Sequence, residues 1–222
     1  MQDLSYKLIA EGLSPERLSS YAQDGVDQEA ALARYLWNIA LSESLYASLH
    51  FCEVSLRNTL HSFLSQQYGE EWYDSSQLTL TDWGVREVQS AQSKLIRAKK
   101  PPTPHNTIAE LNFGFWTHLF QGDYHSPQGF LPNHIKSIFP FLEKSRHKPK
   151  EIKRSLDAIR NLRNRIFHHE RIIHWKDLQH KHDLTLEVVR WSSPELHKLV
   201  KLIDRFPAVY SQGIAPYMRP PQ

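Results

Sequence analysis

The stretch Ile159-Arg160-Asn161-Leu162-Arg163-Asn164-Arg165-Ile166-Phe167-His168-His169-Glu170-Arg171 packs four arginines, two asparagines, two adjacent histidines and one glutamate into thirteen residues that otherwise read as helix. Ile159, Leu162 and Ile166 recur at the intervals of one helix face, so the run closes a helix that spans Lys150 to about His168. A solvated helix face has no need of that polar set. At ~100° per residue, Asn164 and His168 lie one turn apart on the same face, whereas Arg163 stands about 140° from His168. Arg163 and His168 therefore belong to different faces, and each chain supplies half a site more naturally than a whole one.

The residue types suit one chemistry. Cleaving RNA without a metal needs a group to take the 2′-hydroxyl proton, a donor for the leaving oxygen, and positive charge on the phosphate. Histidine performs either proton step near neutrality. Arginine stays charged and offers a planar fork to phosphate oxygens. Asparagine orients the substrate or the imidazole. One Arg-Asn-His set supplies part of this, and two sets joined by a two-fold axis would supply a second imidazole and double the charge.

Outward from that stretch, the flank is basic. From Glu143 to Arg165 stand Lys144, Arg146, Lys148, Lys150, Lys153, Arg154, Arg160, Arg163 and Arg165 against Glu143, Glu151 and Asp157. On a chain of formal net charge +3, such clustering is the footprint of a groove that follows a nucleic-acid backbone. Lys150, Lys153, Arg154, Arg160 and Arg165 are the expected RNA contacts.

The remainder of the chain predicts helices and almost no strand. Ser14-Pro15-Glu16 starts a helix that ends near Asp24-Gly25. Asp27 to Gly69 predicts a hairpin or a bent pair, with Ser42 or Ser44 capping the second helix. Residues 70–80 read as a loop anchored by aromatics, and Asp82 to Lys99 as a more polar helix. Lys99-Lys100-Pro101-Pro102-Thr103-Pro104 breaks the chain. Thr107 to Phe120 reads as one helix with Gly114 in its middle, which implies close backbone packing there. A Gly-, Pro- and His-rich loop covers Gln121 to Asn133, and a short helix covers His134–Phe139. Helices at roughly 175–190 and 194–206 precede a tail that frays at Arg219-Pro220-Pro221-Gln222. No sustained alternation and no Asn-Gly hairpin turn occurs. The expectation is an all-α bundle of about seven to nine helices, one domain over 1–222 with its core at about 27–206.

Composition narrows the class further. An apolar fraction of 40% allows a packed core. Cys52 is the single cysteine, which excludes an intrachain disulfide and every multi-cysteine zinc module and fits buried packing. No signal peptide is visible and no window nears the ~18 apolar residues of a spanning helix, so a cytoplasmic protein without a membrane partner is expected. No glycine-rich phosphate loop and no paired-carboxylate cluster appears, so neither a cofactor nor a metal is expected. His169-Glu170 with His174 fails the zinc-protease pattern, because those histidines stand five apart rather than four. Glu53 and Arg57 form either an intrahelical ion pair or a buried polar pair. Arg57-Asn58 with His61 reads as structural, while His180-Lys181-His182, His105, His118, His125 and His134 read as surface or capping residues.

Leu162-Arg163-Asn164-Arg165-Ile166-Phe167-His168-His169-Glu170-Arg171 resembles the Arg-x4-6-His signature of the HEPN superfamily, and most closely its Abi-like (abortive infection) branch. Tyr35-Leu36-Trp37-Asn38, Phe51-Cys52-Glu53-Val54-Ser55-Leu56-Arg57-Asn58, Tyr68-Gly69 with Trp72, and Glu110-Leu111-Asn112-Phe113-Gly114-Phe115-Trp116 resemble further blocks of that branch, in the same order. The resemblance implies a helical, usually dimeric fold. It implies a metal-independent endoribonuclease, acting in phage defence or as a toxin, whose Arg and His meet across the dimer interface. By position, Arg163 would hold the phosphate, Asn164 would support it and His168 would move the proton. His169, Glu53, Arg57 and Arg171 would support them. A neutralising partner, protein or small RNA, also fits the resemblance. Other members of the superfamily cut nothing and bind RNA, nucleotide or a protein instead. Ile172-Ile173-His174-Trp175 departs from the Leu-Trp-Asn common after the family motif.

Overall fold

The computed structural model describes residues 5–125 and 130–218. The expected frayed end at 219–222, and the middle of the 121–133 loop, lie outside the described residues, as does the side chain of His125. In chain order the α-helices are α1 (Tyr6–Leu13), α2 (Pro15–Ser19), α3 (Gln28–Ser44), α4 (Tyr46–Tyr68), α5 (Asp82–Arg97), α6 (Pro104–Glu110), α7 (Phe113–His118), α8 (Leu131–Ile138), α9 (Pro149–Phe167), α10 (Leu178–Ser192), α11 (Pro194–Lys201) and α12 (Phe206–Gln212). The expected all-helical bundle forms, and no strand occurs among the described residues. It divides into more segments than the sequence suggested because several breaks are made by single side chains.

The α3–α4 junction shows how. The main-chain bonds Leu45 N to Leu41 O and Leu49 N to Leu45 O, both 3.1 Å, carry the helical ladder through Leu45. The two helices are therefore a bent pair and not a hairpin. Ser42 and Ser44 cap nothing. Their hydroxyls donate back to Asn38 O and Leu41 O at 2.8 Å, a competition with the ladder that bends helices. Gly69, at φ 90°, terminates α4.

Thr107 to Phe120 is likewise two helices. Asn112 leaves the helical region at ψ 169° and its Oδ1 accepts from Phe115 N at 3.0 Å, so it caps α7. Gly114 therefore sits in the first turn of α7. The close approach there is to this cap, since a Cβ on Gly114 would lie 2.9 Å from Asn112 Oδ1.

α4 runs through the middle of the bundle, packed by α10 along much of its length and by α7, α8 and α11. α9 lies against α7, α8 and α10, burying Ile152, Leu156, Ile159 and Leu162. Each such side chain contributes roughly 1.5–3 kcal/mol. Trp72 and Tyr73 anchor the loop after α4 as expected, both in the core. The buried indole of Trp72 donates Nε1–H to His61 Nδ1 at 3.1 Å, so His61 has the structural role expected of it. Cys52 is buried and its thiol is pushed up in pKa by burial.

His182 departs from the surface position expected of it. It is 2% exposed, its Nε2 lies 3.0 Å from Asp204 Oδ2, and its ring stacks on Phe206. This pair ties α10 to the start of α12. The acid lies 22 residues away in sequence, so no local pattern announces it.

Candidate nucleic-acid interface

α9 begins with Pro149 at its first turn and Glu151 beside the helix N-terminus, both favourable there. Its end is a Schellman motif. His169 N donates to Ile166 O at 3.0 Å and Glu170 N to Arg165 O at 2.8 Å. The residue that must adopt the left-handed conformation is His169, at φ 57°. Glycine usually fills this place, because a side chain costs about 1–2 kcal/mol in that conformation. His168 is the last residue before the turn, with φ −92° and ψ 9°, and donates its main-chain N–H to Asn164 O at 2.9 Å. Both imidazoles are exposed at the helix end, with no side-chain hydrogen bond among the described residues.

A groove of about 430 Å³ runs beside α9, lined by Arg160, Asn161, Arg163 and Asn164 on one side and Asn112 and Gly114 on the other. Arg163 borders the buried stripe. Its Nε is buried with no hydrogen-bond acceptor, 3.7 Å from Glu53 Oε2 on α4, and its guanidinium carbon lies 4.3 Å from the centre of the Phe167 ring. At 3.7 Å the Glu53 contact is an ion pair and not a hydrogen bond. The buried Nε–H is offset by the Glu53 charge alone, while the rest of the side chain stays partly exposed. Glu53 therefore serves Arg163. Arg57 takes no part in an ion pair with Glu53, its Nε donating to Asn58 Oδ1 at 3.2 Å.

The structure thus brings together Arg163, Asn164, Arg160 and Glu53, and it does not bring His168 to Arg163. No hydrogen bond, ion pair or ring contact joins the two. The basic flank is less free than its count suggests. Lys153 and Arg160 share Asp157, at 2.5 and 3.2 Å, while Lys150 and Arg154 are exposed with no acidic partner among the described residues. Arg165 leaves the groove, pairing with Glu170 at 2.9 Å and lying over Trp175. Arg171 turns to the N-terminal segment, where its Nη1 donates to Ser20 O and to Gln23 Oε1.

Two residues escaped the sequence reading. Asn112, with Gly114, forms the outer lip of the groove, and its Nδ2 donates to Glu87 Oε2 at 3.1 Å. The signal was present, since Asn-Phe-Gly is a cap followed by a residue without Cβ. Asn38 is buried in α3. Its Oδ1 accepts from Ile172 N at 2.7 Å and Ile173 N at 3.3 Å, and its Nδ2 donates to Glu170 O at 3.4 Å. It clamps the strap that leaves His168–His169. A buried asparagine inside an apolar helical pattern was the clue to a long-range partner.

Residues 4–174 match the model of the Abi-like protein family. The chain belongs to the Abi-like family. The match takes in Asn38, Glu53, Asn112, Arg163 and His168, and stops just before α10. No curated protein and no solved structure matches the chain. No described helix of this Abi-like protein is long and apolar enough to cross a membrane.

Proposed function

We propose that this Abi-like protein is a metal-independent endoribonuclease of the HEPN type, acting in abortive infection or as a toxin. In this reading its site is composite at a two-fold dimer interface. The observation that carries it is the Arg163 guanidinium, held between Glu53 and the Phe167 ring while it lines a groove with Arg160, Asn161 and Asn164. A phosphate in the groove would meet the exposed side of that guanidinium. Arg163 and Arg160 then balance the charge that develops on the phosphorus oxygens. Asn164 orients the sugar-phosphate, and Glu53 holds the guanidinium against α4 so that it need not reorganise during reaction. His168 of one chain would serve the groove of the other, moving the 2′-hydroxyl proton or protonating the leaving oxygen. Its exposure, with no side-chain partner among the described residues, supports that role.

The test is cleavage of total RNA in EDTA by wild type, Arg163→Ala and His168→Ala. Cleavage that needs both residues and leaves cyclic-phosphate ends is expected. Mixing the two inactive variants should restore activity, because a mixed dimer rebuilds one complete site. Cutting that ignores both substitutions removes the site assignment, and cutting by a strict monomer removes the composite arrangement.

A second reading is favoured by the pairing of Arg163 with Glu53 and its seat on Phe167. A guanidinium so held can grip RNA, a nucleotide or a protein partner with no proton transfer. Salt-sensitive RNA retention without cleavage selects this reading.

A further inference from the structure

A second cavity, of about 400 Å³, shares no lining residue with the groove; Tyr21, Arg34, Trp37, Arg171, Ile173 and His174 wall much of it. Two guanidiniums converge there. Arg34 Nη1 donates to Tyr21 O at 3.3 Å and Gln23 O at 2.9 Å. Arg171 Nη1 donates to Ser20 O, and to Gln23 Oε1 at 2.9 Å. Each hydrogen-bond partner of Arg171 is a neutral oxygen, so its plane is fixed while its charge remains. His174 is held below the ordinary histidine range by burial and then by Arg171 and Arg165. Trp37, Ile173 and Ile214 give the cavity an apolar wall. Trp37 is pinned by donation of Nε1–H to Val209 O at 3.1 Å and by the Tyr210 ring, and Ile173 is half-buried beside it.

An oriented arginine suits a phosphate, a fixed indole suits a flat ring, and this volume falls within the usual range for small-molecule pockets. We propose that the cavity binds a mononucleotide, with the phosphate on Arg171 beside Arg34 and the base against Trp37. The same chemistry is offered by a free nucleotide and by the 5′-phosphorylated end of an RNA. An inorganic anion would leave the apolar wall uncovered. Arg171 follows His168 by three residues, on the strap that Asn38 clamps, so occupancy bears on the end of α9. That coupling rests on the ribonuclease reading; the binding itself does not.

The experiment is calorimetric titration of the full chain carrying Arg163→Ala, which disables the groove. The probes are AMP and UMP, the matching nucleosides, inorganic phosphate, and one oligoribonucleotide with either a 5′-phosphate or a 5′-hydroxyl. Saturable binding of a mononucleotide, or of the 5′-phosphorylated strand over its 5′-hydroxyl form, is expected. The tighter of the two identifies the source. Arg171→Gln should weaken binding roughly tenfold or more. Because Arg171 also ties down the N-terminal segment, Ile173→Trp gives a second arm, filling the cavity without touching a guanidinium. It should abolish binding in a chain that melts as wild type does. Binding of neither probe, binding that survives both substitutions, or inorganic phosphate binding as tightly as the nucleotide overturns the proposal.

Discussion

Arg163 and Arg171 come from one short stretch and meet opposite environments. Arg163 faces a carboxylate 3.7 Å away, rests on the Phe167 ring and keeps a buried N–H without an acceptor. Arg171 is held through Nη1 alone, by a main-chain carbonyl and an amide oxygen. The Schellman turn at His169 makes this difference. By ending α9 between them, it sends one arginine to α4 and the other to the N-terminal segment. Arg163 is positioned by a carboxylate that offsets its charge, whereas Arg171 is positioned by neutral carbonyl oxygens that fix its plane and leave its charge to the neighbouring cavity.

The largest expected effect tests the first half of that contrast. In the ribonuclease reading, Arg163→Ala and His168→Ala should each lower the cleavage rate by roughly 10²–10⁴-fold, with circular dichroism unchanged. Arg171→Gln should lower cleavage far less while lowering the melting temperature. Equal losses at the two arginines would erase the distinction.

Next in size is the clamp beneath the strap. Asn38→Ala removes the acceptor for Ile172 N–H, which is buried, and should cost about 2 kcal/mol in denaturant unfolding. Asn38→Asp keeps the acceptor and should recover part of that loss. If both variants unfold like wild type, the strap is held by its packing alone.

The turn itself gives an effect of opposite sign. His169→Gly relieves a left-handed side chain and should raise stability by up to about 1 kcal/mol. Cleavage that falls in this more stable variant would assign a chemical role to the His169 imidazole; unchanged cleavage would leave the residue as a helix terminator.

Stability should also respond to acid away from the site. Burial holds His61 below the ordinary histidine value, ahead of smaller effects from Glu70, His105 and Arg57. The unfolded chain therefore takes up the proton first as pH falls through about 6.5. Stability present above that pH is lost progressively below it. His61→Leu should flatten this slope between pH 7.5 and 5.5 while lowering stability at pH 7.5, since Trp72 loses its acceptor. A slope unchanged by the substitution places the acid lability at other histidines such as His174 and His197, which are also held low.

The smallest effect sharpens the opening contrast. The Glu53–Arg163 pair is partly exposed at both ends, so Glu53→Gln should change stability by less than about 0.5 kcal/mol. Removing the carboxylate should strengthen RNA retention at low salt, and more steeply than any acid-to-amide change remote from the groove.

Much of this was legible in the residues. Periodic apolar positions with Ser, Asp, Pro and Gly at the breaks give helices from local geometry alone, and α5, α9 and α10 lie close to where the pattern puts them. The angular separation of Arg163 and His168 follows from helix geometry, and no hydrogen bond, ion pair or ring contact joins them in the structure. Misreadings arose where one side chain overruled periodicity, as when Asn112 split a helix or Ser42 and Ser44 bent one instead of capping it. What only the tertiary structure decided were partnerships between distant residues: Glu53 with Arg163, Asn38 with Ile172, His182 with Asp204, and Arg171 with the N-terminal segment. Hydrogen bonds and ion pairs act over a few ångströms with no regard for sequence distance, so which of several arginines meets which oxygen is settled when the helices pack.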